Sequence, residues 1–289
     1  MSPVPAALRR LGLTLEMIKF SHTLFALPFA ATSALASARG LPTLRQGLGI
    51  LAAMVGARSA AMAFNRVADL RYDRENPRTA GRHLPQGLLS ARFALGFTVI
   101  SSALFIGACA ILGQTCLILS PVALGWVLGY SFSKRFTSAS HLWLGIGLGM
   151  APVGAWVAVR GGLSEAAPWW LGGGVALWTA GFDLLYACQD ADFDRRAGLH
   201  AVPARWGIPA ALRLSAALHL ASTVMFWMFV RHAGLGPWSL AAVGATGLVL
   251  AVEHRLVRAD DLSRLNTAFF TANAVVGLLI AAGVAMDVF

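Results

Sequence analysis

Charge is scarce in this sequence. Asp, Glu, Lys and Arg make up 12% of its 289 residues, where a soluble domain carries about 25%. With 57% hydrophobic residues and a mean hydropathy of +0.66, that scarcity excludes an ordinary soluble chain and points to a bilayer. Cysteine is nearly absent as well. Cys109, Cys116 and Cys188 sit in apolar surroundings, with neither zinc-ligand spacing nor an even set for a disulfide framework. No cleavable leader is expected. Two early arginines precede an apolar run, but no small-residue cleavage site follows, so the first segment reads as a retained helix. The formal net charge of +10 does not imply nucleic acid on so apolar a chain; it implies basic cytoplasmic loops. No feature calls for an obligate protein partner.

Long hydrophobic runs, by contrast, are plentiful. A spanning helix needs roughly 20 mostly apolar residues. Such runs lie near 18–38, 46–64, 93–112, 115–133, 141–159, 167–188, 212–230, 236–253 and 266–286. The stretch 93–133 has no charge at all, and Gly113-Gln114 marks the turn within it. The expected fold is all-α, a polytopic membrane bundle of nine transmembrane helices forming a single domain, 1–289. Four helices separate the two longest loops, about 65–92 and 189–211. This spacing predicts four-helix pseudo-repeats, 18–133 and 141–253, plus a ninth helix at 266–286.

Loop charge sets the expected orientation. With the N-terminus inside, the inner segments hold Arg9, Arg10, Lys19, Arg66, Arg71, Arg74, Arg78, Arg82 and Arg92. They also hold Lys134, Arg135, Arg195, Arg196, Arg205, Arg213, Arg255, Arg258 and Arg264. The outer segments hold Arg39, Arg45, Arg160 and Arg231, so the split is eighteen to four, with Arg58 inside a span. The positive-inside rule predicts a multi-pass protein of the cell (inner) membrane, its N-terminus and both long loops cytoplasmic and its C-terminus outside.

Acids are few, and they cluster. Seven of the 13 Asp and Glu residues fall in two stretches, Asp69, Asp73 and Glu75 in one, Asp183, Asp190, Asp192 and Asp194 in the other. Asn65, Asp69 and Asp73 recur every four residues and so share one helix face; Asp183, Asp190 and Asp194 do the same in steps of seven and four. Like charges at that spacing repel unless a cation intervenes. Hard oxygen ligands favour Mg²⁺, which takes one or two carboxylates, waters and phosphate oxygens. Arg74, Arg78, Arg82, Lys134-Arg135 and Arg195-Arg196 lie close by, so acids and bases together describe a metal–diphosphate site. The plainer reading is a solvated face on which acids pair with loop arginines. Two such clusters at equivalent ends of a membrane bundle favour function.

The residues also carry a resemblance. Asn65-x-x-x-Asp69-x-x-x-Asp73, continuing through Asn76-Pro77-Arg78-Thr79 to Arg82-His83-Leu84-Pro85-Gln86-Gly87, resembles the first motif of the UbiA-type prenyltransferase superfamily, with His83 in place of a proline. Asp183-x-x-Tyr186-x-x-x-Asp190-x-x-x-Asp194 with Gly198 resembles its second motif, and Tyr130-Ser131-x-Ser133-Lys134-Arg135 its Tyr…Lys-Arg element. The resemblance implies a helical bundle around a central cavity with the acidic motifs at its cytoplasmic mouth. It implies transfer of a polyprenyl group from polyprenyl diphosphate to an aromatic acceptor by electrophilic substitution, with Mg²⁺ as cofactor. Asn65, Asp69, Asp73, Asp190 and Asp194 are then the metal-binding residues, and Arg78, Arg82, Lys134 and Arg135 the diphosphate-binding ones.

Two deeper residues complete the catalytic set. Asp183 either orients the acceptor hydroxyl or collects the ring proton, or else is a buried partner for an arginine. Arg58, seven residues before Asn65, is either a fork for an acceptor carboxylate or half of a structural ion pair, for instance with Asp183. The nine tryptophans are assigned to interfacial belts and helix packing, with cation–π shielding as the alternative.

Two further segments, Met17 to Ala30 and Gly198 to Gly207, are similar to the 4-hydroxybenzoate polyprenyltransferase-like subgroup linked to menaquinone synthesis by the futalosine route. That similarity implies 1,4-dihydroxy-6-naphthoate as acceptor, with 4-hydroxybenzoate (ubiquinone synthesis) as its rival. Gly56, Ala57, Ser59, Ala60 and Gly181 are compatible with a small-residue wall for the bicyclic ring. A cation-coupled secondary transporter is the non-enzyme alternative, but it expects charges deep in broken helices. A CDP-alcohol phosphotransferase needs Asp-Gly followed by Ala-Arg, which neither acidic stretch supplies.

Overall fold

The computed structural model describes residues 6–19, 26–262 and 265–289, and among these it holds helices and no strand. In order they are α1 (Ala6–Met17), α2 (Leu27–Ala38), α3 (Leu44–Ala68), α4 (Leu70–Glu75), α5 (Ala91–Leu112), α6 (Gln114–Ser133) and α7 (Ser140–Arg160). Then follow α8 (Ala167–Ala187), α9 (Ala191–Arg196), α10 (Val202–Trp206), α11 (Ile208–His232), α12 (Pro237–Leu256) and α13 (Leu265–Val288).

Local chemistry explains the boundaries. The Thr43 hydroxyl accepts the Gln46 N–H while Gln46 Oε1 accepts the Thr43 N–H, a reciprocal cap that starts α3. Ser90 caps α5 by accepting the Phe93 N–H at 3.1 Å. Gly113, with φ of 145°, turns the chain between α5 and α6 where the sequence placed the break. Pro121 inside α6 cannot bond the Leu117 carbonyl, and the Ser120 hydroxyl donates to it instead at 2.8 Å.

Among the described residues six helices are long and apolar enough to cross a membrane: α3, α5, α6, α7, α8 with its continuation to Arg196, and α11. The expected nine spans each coincide with a helix, but three fall short of that measure. The described part of the first is the 12-residue α2, and residues 20–25 of the expected span lie outside the described residues. α12 carries Glu253-His254-Arg255 just before its last residue, and the apolar run of the last helix is Ala272–Val288. Residues 20–25 of the segment Met17 to Ala30, and Arg264, also lie outside the described residues.

Helix α8 is the centre of the bundle. Its apolar stretch is 78% buried, against 17–39% for the other five. It packs between α7 and α11, α3 packs on α5, and α2 joins α7 to α13. Gly145 and Gly149 let α7 approach α8 so closely that any Cβ would collide with the carbonyl oxygens of Ala176 and Gly172. On the far side Phe29 stacks on Phe226 and lies tilted against Trp178, with ring centroids 5.7 and 5.0 Å away. Val99, Ile100, Ile118, Val122, Leu220 and Leu248 stay exposed, an apolar exterior suited to lipid.

Candidate active site

The helices of the first half and of the second deliver their acidic residues to the same end of the bundle. There a cavity of about 320 Å³ opens between α3, α6 and α8, within the size range of small-molecule pockets. Asn65, Asp69, Asp73, Arg78, Arg82, Lys134, Arg135, Asp183, Asp190, Asp194 and Arg58 all line it. Glu75 and Asp192 do not. They pair on the exposed surface with Arg71 and Arg195, as the plainer reading of the acids expected of them.

The two acidic motifs share one local backbone. α3 breaks at Asp69 (φ −93°, ψ 6°) and resumes as α4. α8 passes through a 3₁₀ turn, Cys188–Asp190, breaks at Asp190 (φ −101°, ψ 3°) and resumes as α9. The helix face expected for each motif is therefore kinked rather than continuous. In the first motif the i→i+4 bonds Asp69 N–H to Asn65 and Asp73 N–H to Asp69 persist at 2.9 and 2.8 Å, which preserves the convergence through the kink.

Each carboxylate on the cavity wall is held by a base. Arg82 Nη1 donates to both oxygens of Asp73 at 2.7 and 2.9 Å, and buried Arg66 lies 3.8 Å from the same group. Arg78 makes a two-point fork on Asp190, Nε to Oδ1 at 2.7 Å and Nη2 to Oδ2 at 2.5 Å, and Asn76 adds a bond to Oδ1 at 3.1 Å. Arg135 sits 3.6 Å from Asp69, and Lys134 sits 3.9 Å from Asp194. Neighbouring basic residues at the end of α6 thus serve one acid from each motif.

The charges tune one another. Burial, together with the Asp73 carboxylate, raises Asp69 above the ordinary carboxylate range against the pull of Lys134 and Arg135. Burial opposes the charge on Arg78, but its bond to Asp190 outweighs this and the guanidinium is raised. Lys134 behaves alike: burial works to lower it, and Asp194 and Asp183 hold it up.

Can these residues hold Mg²⁺? Among the described residues no three acids, histidines or cysteines close on one point to enclose an ion by themselves. Asp194 Oδ2 is nevertheless buried without a hydrogen-bond partner, on a wall shared with four more carboxylates. Mg²⁺ asks only for one or two carboxylates, completing its shell with water and substrate phosphate. The donor set fits an ion shared with a diphosphate.

Deeper in the cavity the residues change character. Ala61, Met62, Leu144, Leu148 and Phe182 form an apolar wall, and Arg58 stands among them. The ion pair between Arg58 and Asp183 is not formed. Asp183 instead bonds His141, Oδ2 to Nδ1 at 2.7 Å. Arg58 makes no ion pair among the described residues, and its Nε is buried without a partner. The small-residue wall is corrected too. Gly56 abuts the α5 backbone at Ser101 and Phe105, Gly181 abuts the His219 ring, and none of the five small residues lines the cavity. They serve helix packing. No tryptophan lines it either; Tyr72, Tyr130, Tyr186, Phe182 and Phe193 do.

Among the residues of the site that carried no assignment in the sequence are Arg66, Asn76, Tyr186 and His141. Tyr186 lies inside the second motif, and Asn76 between the acids and Arg78, so position alone marks both. Arg66 reads as loop charge until its burial is seen. His141 gives one weak signal, a lone polar residue at the edge of a span near Lys134-Arg135.

Comparison with known proteins agrees with this geometry. The sequence model of the UbiA prenyltransferase family matches residues 26–275. The 4-hydroxybenzoate octaprenyltransferase of Paracidovorax citrulli (strain AAC00-1) is 32% identical over 231 residues, covering 78% of this chain and 76% of that protein. The protein of that name from Alcanivorax borkumensis is 33% identical over 222 residues, covering 76% and 75%. Among solved structures, the apo form of a UbiA homolog from Aeropyrum pernix K1 superposes with a TM-score of 0.84 at 38% identity, covering 93% of this chain and 98% of that one. A UbiA homolog from Archaeoglobus fulgidus bound to GPP and Mg²⁺ superposes with a TM-score of 0.72 at 16% identity, covering 94% and 99%, a likeness of fold.

Proposed function

This chain belongs to the UbiA prenyltransferase family, and from that premise we propose that it transfers a polyprenyl group from polyprenyl diphosphate to a hydroxylated aromatic acid. The observation that carries the acceptor's chemistry is Arg58. A guanidinium without an acid partner stands in the apolar part of the cavity, seven residues below Asn65 on α3 and so roughly 10 Å deeper. A planar fork there matches a carboxylate on an otherwise apolar ring.

The residues divide the work by depth. Asn65, Asp69, Asp73, Asp190 and Asp194 would hold Mg²⁺, which when bound neutralises the diphosphate as a Lewis acid. Arg78, Arg82, Lys134 and Arg135 exchange their carboxylate partners for diphosphate oxygens and stabilise the charge that grows as the allylic C–O bond breaks. The tyrosine and phenylalanine faces of the cavity offer π-density to the allylic cation. Arg58 orients the acceptor, and Asp183, on the cavity wall seven residues before Asp190, accepts the ring proton.

We infer that the acceptor is 1,4-dihydroxy-6-naphthoate, on the similarity of the Gly198 to Gly207 segment noted above. The second reading is 4-hydroxybenzoate, which the names of the relatives favour. Prenylation of the naphthoate with the higher kcat/KM supports the first; transfer to 4-hydroxybenzoate alone establishes the second. The shared backbone of the two acidic motifs supports pseudo-repeats at 18–133 and 141–253, and the loop-charge split supports a cytoplasmic cavity mouth in the cell membrane.

A further inference from the structure

We propose that His141 is a positioning residue that holds Asp183 in the orientation needed to take the acceptor's proton, and that it ties this carboxylate to the Gly198–Gly207 segment. The inference rests on the reading of Asp183 as the proton acceptor.

His141 stands in the first turn of α7, 3% exposed. One ring nitrogen, Nδ1, is 2.7 Å from Asp183 Oδ2. The other, Nε2, accepts the backbone N–H of Val202, the first residue of α10, at 3.4 Å. A backbone N–H can only donate, so Nε2 must present its lone pair. The imidazole proton then sits on Nδ1 and points at Asp183. Both nitrogens are thereby committed: His141 is neutral, donates to a carboxylate, and has no lone pair left for a substrate proton. Its role is to fix one oxygen of Asp183. The second oxygen, on a side chain that lines the cavity, is left for the acceptor.

The partner of His141 is itself anchored to the active site. Leu199 N–H bonds the Asp194 carbonyl and His200 N–H bonds the Lys134 carbonyl, each at 2.8 Å. Arg195 Nε reaches back to the Ala204 carbonyl at 3.2 Å. Leu199 forms part of the cavity wall. One segment therefore supplies a wall for the acceptor and, through Val202 and His141, sets the carboxylate that deprotonates it.

The step balances without a further reagent. The allylic C–O bond breaks with its electron pair leaving on diphosphate, and the new C–C bond takes its pair from the ring. The ring C–H bond then breaks, its electrons restore aromaticity, and the proton goes to the free oxygen of Asp183, which becomes a neutral acid.

The test uses the purified full-length protein in lipid with polyprenyl diphosphate, Mg²⁺ and each acid, protonated or deuterated at the ring position that is alkylated. Wild type is expected to show no isotope effect on kcat. In His141→Phe, kcat falls on the order of tenfold or more at unchanged KM for the diphosphate, and an isotope effect above unity emerges because proton removal has become slow. His141→Asn keeps an N–H near the Nδ1 position and retains most of kcat; His141→Gln, with its amide at the Nε2 end, does not. A His141→Phe enzyme with wild-type kcat overturns the inference, as does loss of kcat without an isotope effect. If His141→Phe does not fold, the Asn and Gln pair decides, and Gln equal to or better than Asn overturns it. Wild-type protein that prenylates neither acid fails the parent reading instead.

Discussion

Arg78 closes a two-point fork on Asp190, joining the stretch after the first acidic motif to the second, across 112 positions of sequence. The two halves of the site are thus locked together by a side chain that also faces the cavity. Arg78→Ala removes both functions. It is expected to lower kcat/KM for prenyl diphosphate on the order of 10²-fold. Arg78→Lys should recover little, because a point charge cannot reproduce the fork. Full recovery by lysine, in steady-state assays with the diphosphate varied, contradicts the account.

Arg58 is expected to act on the acid alone. Losing a charge-assisted fork costs roughly 10- to 100-fold in binding. Arg58→Ala should therefore raise KM for the aromatic acid by that factor and leave KM for the diphosphate unchanged. A phenol lacking the carboxylate should be used equally well by both enzymes. Equal loss with acid and phenol would make Arg58 a structural residue.

Orientation is open to direct labelling. In a background without Cys109, Cys116 and Cys188, Phe289→Cys at the exposed C-terminus should react with an impermeant maleimide from outside intact cells. Gly81→Cys, in the connection between α4 and α5 with no atom within 4 Å of its added Cβ, should react only after the membrane is opened. The opposite pattern inverts the topology.

Gly145 and Gly149 bear on stability. A Val at either meets the α8 backbone, so each substitution should cost about 1–3 kcal/mol and lower the midpoint of thermal unfolding in detergent. An unchanged midpoint would mean that α7 and α8 are not in close contact.

The apolar runs and the Gly113 turn were legible because helix periodicity and chain reversal are local properties. The convergence of Asp69, Asp73, Asp190 and Asp194 on one cavity was legible because each pair is four residues apart, a spacing that survives the kink at Asp69. What could not be read was choice of partner. The Asp183–His141 bond spans 42 positions, and nothing near either residue announces the other. The same limit explains Gly56 and Gly181, whose small size answers the α5 backbone and the His219 ring rather than a substrate. Arg66 counts as loop charge by its place in the sequence, yet it is buried beside Asp73.

The central claim is that two acidic motifs meet at one cavity to drive Mg²⁺-dependent prenyl transfer onto an aromatic acid. Its most direct measurement is product formation, read by mass, from the purified protein in liposomes with polyprenyl diphosphate and each acid, with and without EDTA. A singly prenylated acid should appear, vanish with EDTA and return with Mg²⁺. Folded Asp69→Asn and Asp190→Asn proteins should turn over at least about 10²-fold more slowly. Near-normal transfer by both variants, or transfer indifferent to EDTA, would contradict the account.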